Sequence, residues 1–464
     1  MPNRSGKICV IGGGGVRSPF VVKTIATEAA SLGIGQLVLL DSDAFKLSKY
    51  GELSREIVNR IDPEIKVTLE VEPETALKDC DYIISSVRVG GDQARLKDEE
   101  IVSKYELLAQ ETTGACGFAM AMRSIPVIAE YCEIAKRVAK TDHLFFNFTN
   151  PAGLVTQALN TLGYQVYGIC DSPSELIKQI SKMLGVKESE FSCNTFGLNH
   201  LTWFNDFKVN GKDISSEVIN HPELFSQTEM RIFDKDILTI SDNYLLNEYL
   251  YFYFYNKKVM RLGNLSGTSR GKLINDVNLK MNSELAEIDV PNNFELAFKI
   301  YFDNYNVREN NYLKLESGVD RVKVYTTPTA KEFIERDDEG GYSGISLKFI
   351  KAYKSNQQVE MVLSVPNKGA IAELNDDDVI EVMCDIKNGE VTPRKQGVIP
   401  NLALNLIRTV KEYERLAVAA ILNCDVDLAI KALIVNPLIA NHDIAKSLVQ
   451  EFIHEYGSFA GSWK

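Results

Sequence analysis

A chain of 464 residues, 45% hydrophobic and 25% charged, is long enough to bury a substantial core in two domains or one large two-part unit. Its formal net charge of -12 argues against nucleic acid as a principal partner, because binding a polyanion needs a basic face. No apolar run approaches the roughly 18 residues of a membrane span, and the start MPNRSGK leads into a strand rather than a signal core. The expectation is a cytoplasmic protein without a membrane partner, acting on a small molecule. The eight cysteines, at 9, 80, 116, 132, 170, 193, 384 and 424, show no CxxC spacing and therefore no disulfide framework or zinc ribbon.

In chain order, Lys7–Ile11 is a short apolar strand that runs into Gly12, Gly13, Gly14 and Gly15, and Ser18–Ser31 follows as a helix. Gln36–Asp41 is a second strand ending in an acid. Glycines let a backbone approach a pyrophosphate, the helix start supplies free N–H groups, and an acid at the end of the second strand suits ribose hydroxyls. Gly12, Gly13, Gly14 and Asp41 are thus candidate dinucleotide ligands, although Arg17 stands where the GxGxxG pattern has its last glycine. Lys66–Val71, Asp81–Val87, Leu144–Phe148 and Gln165–Cys170 read as further strands of a Rossmann-like, doubly wound parallel sheet.

Several strand ends carry more than scaffold residues. Ser85–Arg95 places Arg88 and Arg95 around paired glycines, an arrangement suited to an anionic group, and Gln110–Arg123 sets Glu111 and two threonines before a helix. Asn147–Gly153 (NFTNPAG) closes another strand, with Asn150 before a proline. At Cys170–Pro173 (CDSP) a thiol, a carboxylate and a turn lie together at a strand's carboxyl end, and Gly197–His200 (GLNH) follows one helix later. Cys170 and His200 are a common ligand pair for a borderline-soft divalent ion; equally, a lone Cys is often a small buried hydrophobe and a lone His a core residue.

Beyond about Thr195 the texture changes. Leu198–Lys208 is predicted as a strand before the hairpin signal Asn210–Gly211, and Asn243–Met260 is an aromatic run whose rings are mostly core. Arg270 lies in a polar segment, 267–271. Lys323–Tyr325, Val359–Val365 and Val379–Cys384 resemble strands, and Leu402–Asn423, Val426–Leu433 and Asp443–Tyr456 amphipathic helices. The division expected is a Rossmann-like domain over 1–195 and an α+β substrate-binding, catalytic and oligomerisation domain over 196–464.

Taken together, IGGGG…SP at Ile11–Pro19, VRVGG at Val87–Gly91, QETTGACGF…RSIP at Gln110–Pro126, NFTNPAG, CDSP, GLNH, NEYLYFYFYNKKVM at Asn247–Met260, PNKGAI at Pro366–Ile371 and VKEYERL at Val410–Leu416 resemble the family-4 glycoside hydrolases. The resemblance implies NAD and a divalent cation, commonly manganese. It also implies a route in which oxidation at C3 of the sugar acidifies the C2 proton, a base removes it, the aglycone leaves by elimination, and water and hydride are then added back. On this reading Cys170 and His200 hold the ion and Tyr249 is the base, with Tyr244 as the alternative alignment. Gly12, Gly13, Gly14, Asp41, Arg88, Glu111 and Asn147 would face the cofactor, and Arg95, Asn150 and Arg270 the sugar phosphate. Asp171 is the residue that 6-phospho-α-glucosidases use to protonate the leaving oxygen, whereas the surrounding motifs look more like the 6-phospho-β-glucosidase branch.

The implied activity is hydrolysis of a phosphorylated disaccharide or aryl glucoside by a homodimer or homotetramer, most like a 6-phospho-β-glucosidase. A 6-phospho-α-glucosidase, or a family-4 α-galactosidase or α-galacturonidase, is the alternative within the family. Outside it stand an NAD-dependent hydroxy-acid dehydrogenase, which would form NADH on every turnover, and a nucleotide sensor that has lost catalysis; Cys170, His200, Tyr249 and Arg123 occurring together speak against the sensor.

Overall fold

The computed structural model describes residues 4–337 and 341–464. Among the described residues thirteen strands form two sheets: β1 (Gly6–Ile11), β2 (Ile34–Leu40), β3 (Lys66–Glu70), β4 (Tyr82–Ser85), β5 (Leu144–Asn147), β6 (Val166–Gly168), β7 (Phe191–Leu198), β8 (Leu201–Val209), β9 (Lys212–Asp213), β10 (Leu245–Leu246), β11 (Val359–Pro366), β12 (Val379–Lys387) and β13 (Glu390–Pro393). The large sheet has the order β13-β12-β11-β6-β5-β4-β1-β2-β3. Its β3-β2-β1-β4-β5-β6 part is parallel, the strand order of a dinucleotide-binding fold, with the direction of winding reversing between β1 and β4.

Strands covered on both faces need apolar residues at nearly every position, and β4 (YIIS) and β5 (LFFN) are buried throughout. The helices that cover the sheet and frame the site are α1 (Ser18–Leu32), α2 (Gly91–Ser103), α3 (Gly114–Val138), α4 (Ala152–Thr161), α5 (Asp171–Met183), α6 (Leu250–Phe254), α7 (Arg270–Ala286) and α8 (Phe294–Asn310). The C-terminal helices α9 (Asn401–Asn423) and α11 (His442–Ala460), with α10 (Val426–Val435) between them, pack against α3 and α4.

Chain from the second half also completes the first sheet. β11 pairs antiparallel with β6 through Ser364 opposite Gly168, and β12 and β13 extend the sheet further. Gly168 suits this crossing because a Cβ there would lie 2.7 Å from both the Ser364 Cβ and the Thr156 Oγ1. The division drawn at 195/196 falls within β7, a strand missing from the sequence reading. β7 and β8 form a hairpin, the GLNH turn connects them, and β9 and β10 complete the small sheet. Lys323–Tyr325, expected as a strand, is an irregular segment. Its alternating pattern finds no neighbouring strand, and Asn310 holds Tyr325 through both backbone groups instead.

Candidate active site

A cleft of about 2410 Å³ opens at the carboxyl ends of β1, β4, β5 and β6 and runs under α7 and α8. At one end, Gly12 follows β1 with φ of +93°, and a Cβ there would come within 2.4 Å of the Ser86 carbonyl oxygen. The Gly14 N–H donates to Asp41 Oδ2 at 3.0 Å, and the Asp43 N–H to Asp41 Oδ1 at 3.0 Å. The glycine turn and the acid of β2 are thereby locked together on the cleft wall. Gly13 lies against β2, where a Cβ would come within 2.5 Å of Leu39, and its role is the turn itself. Arg17, at the N-cap of α1, reaches across to Asp171 on α5, with Nη1 to Oδ2 at 3.4 Å.

The next wall is a chain of ions. Arg88 binds Glu111, which also takes an N–H from Arg95 Nη1 at 2.6 Å; Arg95 Nε donates to Glu99 Oε1 at 3.0 Å, and Glu99 accepts from the Ser269 hydroxyl. Burial alone would raise the Glu111 carboxyl, but Arg88 and Arg95 outweigh it and hold the group at about 2. Arg270, at the first position of α7, donates to the Arg308 carbonyl oxygen at 2.8 Å and has no ion pair among the described residues. Asn150 lines the cleft at a cis peptide bond to Pro151. Asn147, proposed from sequence to face the cofactor, is fully buried, and its amide donates to Thr149 O, Ala152 O and Thr156 Oγ1; it builds the turn that carries Asn150.

At the centre, Cys170 caps α5 and His200 sits in the β7–β8 turn with φ of +62°, a left-handed conformation that histidine adopts more readily than most residues. The turn needs Gly197, where a Cβ would meet the Leu201 carbonyl oxygen at 2.1 Å. Burial pushes the His200 imidazole down to about 3, so it stays neutral, and Thr112 Oγ1 lies 3.1 Å from Nδ1. The Tyr249 ring stacks on His200 with centroids 3.7 Å apart and planes 2° from parallel. Tyr244 is set instead edge-on against Phe196 and does not line the cleft. Among the described residues no group of three or more His, Cys, Asp or Glu side chains is arranged to hold a metal, so Cys170 and His200 would leave most of an ion's coordination to non-protein groups.

Cleft residues that escaped the sequence reading include Thr112, Glu248 and Tyr312. Thr112 lies inside a motif already singled out, and Glu248 adjoins Tyr249, so proximity was the available signal; Tyr312 reaches the cleft only through tertiary folding, and Arg17, named from sequence only as standing in place of a glycine, lines it beside Asp171. Arg123 lies below the cleft. It binds Asp98 through two N–H groups at 2.9 and 2.7 Å and ties α3 to α2.

Residues 7–186 match the model of the family 4 glycosyl hydrolases, and residues 195–439 the model of the family 4 glycosyl hydrolase C-terminal domain. The chain belongs to glycosyl hydrolase family 4. Among family-4 relatives it is 28% identical to the 6-phospho-beta-glucosidase BglT of Thermotoga maritima, over 96% of this chain and 97% of the relative. It is 25% identical to the phospho-alpha-glucosidase PagL of Clostridium acetobutylicum, over 96% of each. The solved 6-phospho-alpha-glucosidase from gut microorganisms, in complex with NAD and glucose-6-phosphate, superposes with a TM-score of 0.81 at 25% identity, covering 99% of both chains. The Thermotoga maritima 6-phospho-beta glucosidase with manganese, NAD+ and glucose-6-phosphate gives 0.79 at 26% identity, covering 98% of this chain and 99% of that one.

Proposed function

We propose that this family-4 enzyme is an NAD- and divalent-metal-dependent 6-phospho-β-glucosidase acting on a phosphorylated disaccharide or aryl glucoside. The observation that carries the reading is Tyr249 stacked on His200 beside Cys170, at the junction of the glycine turn and the arginine-rich wall. When bound, NAD+ would accept the C3 hydride, and a divalent cation would polarise the C3 oxygen and stabilise the enolate. Cys170 and His200 would hold the ion. The fit is chemical: His200 is neutral as a ligand must be, and the Cys170 thiol, pushed up by burial and then by Glu381 and Asp171, is a group whose ionisation a cation favours.

The remaining work falls to the chain's own side chains. Asp41, fixed by two backbone N–H groups, takes the ribose hydroxyls. Arg270, with no ion pair among the described residues, is the strongest candidate for the sugar phosphate, helped by Asn150 and by Arg95, whose donors are shared with Glu99 and Glu111. Tyr249 removes the C2 proton, and the aglycone leaves from C1. Asp171 favours the α reading by its chemistry, but the β reading is preferred because its carboxylate is paired with Arg17.

The test is to assay chromogenic 6-phospho-β- and 6-phospho-α-glucosides side by side with NAD+, Mn2+ and a thiol reductant. Release from the β-anomer without net NADH is expected. Release from the α-anomer only would reverse the anomer assignment, and stoichiometric NADH without aglycone would point to a dehydrogenase.

A further inference from the structure

Arg308, near the C-terminal end of α8, lines the cleft although only 8% of it is exposed. It makes no ion pair among the described residues. Glu111 is taken by Arg88 and Arg95, Glu309 by Arg321 at 3.0 Å, and Asp92 accepts from Asn278 Nδ2 at 2.6 Å. The contacts that hold the guanidinium are weak: Nη1 donates to Asn278 Oδ1 at 3.4 Å, and the central carbon lies 5.6 Å from the Tyr305 ring centroid. Nε is buried and has no hydrogen-bond partner. A buried charge left in this state is costly, and an arginine fork with an empty edge is shaped for an anion that offers two oxygens.

Its place on α8 sets Arg308 between two expected phosphates. On the same helix face, the Tyr301 hydroxyl donates to the Val16 carbonyl oxygen at 2.6 Å, and the Tyr305 ring rests on Phe20 with centroids 4.8 Å apart. Val16 follows the glycine turn and Phe20 lies in the first turn of α1, where a pyrophosphate is expected. On the other side, the Arg308 carbonyl oxygen accepts from Arg270 Nη1 at 2.8 Å, beside the group proposed for the sugar phosphate. Two guanidinium groups without ion pairs among the described residues therefore share one stretch of wall. Burial pulls Arg270 below its ordinary value, Glu316 and Glu309 oppose this, and Arg308 and Arg95 add to it, so the wall is short of negative charge.

We infer that Arg308 binds a phosphoryl group in this cleft, with Nε as the donor that no protein group occupies. The inference rests on the proposed reading of the cleft as the place of NAD and a sugar phosphate. Both ligands carry this chemistry, NAD+ in its pyrophosphate and the substrate in its 6-phosphate, and they are told apart by which affinity depends on Arg308. The contact is made in the ground state as well as in the transition state, so affinity carries it rather than kcat.

The experiment is Arg308→Gln in the full-length enzyme, compared with the parent by calorimetric titration of NAD+ and, separately, of glucose 6-phosphate at one fixed ionic strength. Loss of charge-assisted hydrogen bonds to a phosphoryl group should weaken one of the two roughly tenfold to a hundredfold and leave the other within about twofold. A selective fall for glucose 6-phosphate assigns Arg308 to the substrate's 6-phosphate, and a selective fall for NAD+ assigns it to the pyrophosphate. Both affinities within about twofold of the parent's would overturn the inference. So would equal falls in both, the result expected if Arg308 only holds α8 against α7. If the Gln variant does not fold by circular dichroism, a crystal structure of the parent with NAD+ and glucose 6-phosphate decides instead. It should show an Arg308 guanidinium nitrogen within about 3.2 Å of a phosphoryl oxygen, and a guanidinium with no phosphoryl oxygen in hydrogen-bond reach overturns the inference. A parent that binds neither ligand would overturn the proposed function and this inference together, whereas a parent that binds both and a variant that matches it would overturn this inference alone.

Discussion

At the scale of the residue, Tyr249 presents the sharpest physical problem. Burial, and after it the charges of Glu248 and Cys170, raise its phenol above the ordinary tyrosine value of 10, so the protein by itself makes it a poor base. A cation held by Cys170 and His200, against whose ring it stacks, is the charge that would reverse this. Tyr249→Phe should lower aglycone release by about 10²- to 10⁴-fold, the usual contribution of a general base, while NADH still forms on the enzyme. Stopped-flow absorbance would show the NADH, and Tyr244→Phe should be close to wild type. The aromatic run was legible in the sequence, and the family resemblance favoured Tyr249 over Tyr244; the stacking of Tyr249 on His200 was not legible, because that depends on the β7–β8 turn beneath them.

Glu381 shows a second residue-scale effect. Burial pushes its carboxyl from 4.5 up to about 8, although Asn199 donates to it at 3.0 Å and Ser364 at 3.3 Å. The folded state therefore holds a proton that the unfolded state releases. The stability this gives is fully present below about pH 4.5 and is lost as pH rises toward 8, the slope being set by the difference in bound protons. Glu248, raised to about 7, adds a parallel loss over a narrower range. Glu381→Gln should flatten the decline in urea-unfolding free energy between pH 5 and 8, about the interval between the two values. An unchanged slope would contradict this account of the buried carboxyl.

At the scale of the element, the parallel strands and their helices followed from apolar runs and a 3.6-residue period, because each is a local pattern. The antiparallel addition of β11 to β6 was not legible. It joins Ser364 to Gly168 across nearly two hundred residues, and nothing in either strand names its partner. One consequence is that residues 1–195 alone would present β6 as an uncovered edge. Expressed separately, that fragment should aggregate or fail to give a cooperative melt, and a soluble, cooperatively melting fragment would show the first sheet to be self-sufficient. A second consequence concerns α2 and α3. Arg123→Ala would strand the buried Asp98 carboxylate, and removing one partner of a buried ion pair typically costs about 3–5 kcal/mol, readable as a lower urea midpoint at unchanged slope.

For the whole molecule, the order of motifs along the chain identified the family before any coordinates did; Ile11–Pro19, Val87–Gly91 and Cys170–Pro173 sit at strand ends that face one cleft, whereas Val410–Leu416 lies within α9 away from it. The expected residues divide within that cleft. Gly12, Asp41, Arg88, Glu111, Asn150, Cys170, Asp171, His200, Tyr249, Arg95 and Arg270 line it, whereas Asn147 is spent on the turn beneath Asn150. No helix among the described residues is long and apolar enough to cross a membrane. Val398, 97% exposed, and Leu265, 78% exposed, are large apolar side chains that the proposed homodimer or homotetramer would cover. Sedimentation of the parent against a Val398→Asp, Leu265→Asp double variant should show the variant at lower mass, and equal masses would place the interface elsewhere.

The most direct test of the elimination route is the fate of the C2 hydrogen. Hydrolysis of the 6-phospho-β-glucoside run to completion in D2O, followed by NMR of the glucose 6-phosphate formed, should show deuterium at C2, because the proton taken by Tyr249 exchanges with solvent before water adds back. Product with no deuterium at C2 would contradict proton removal and, with it, the account of this cleft.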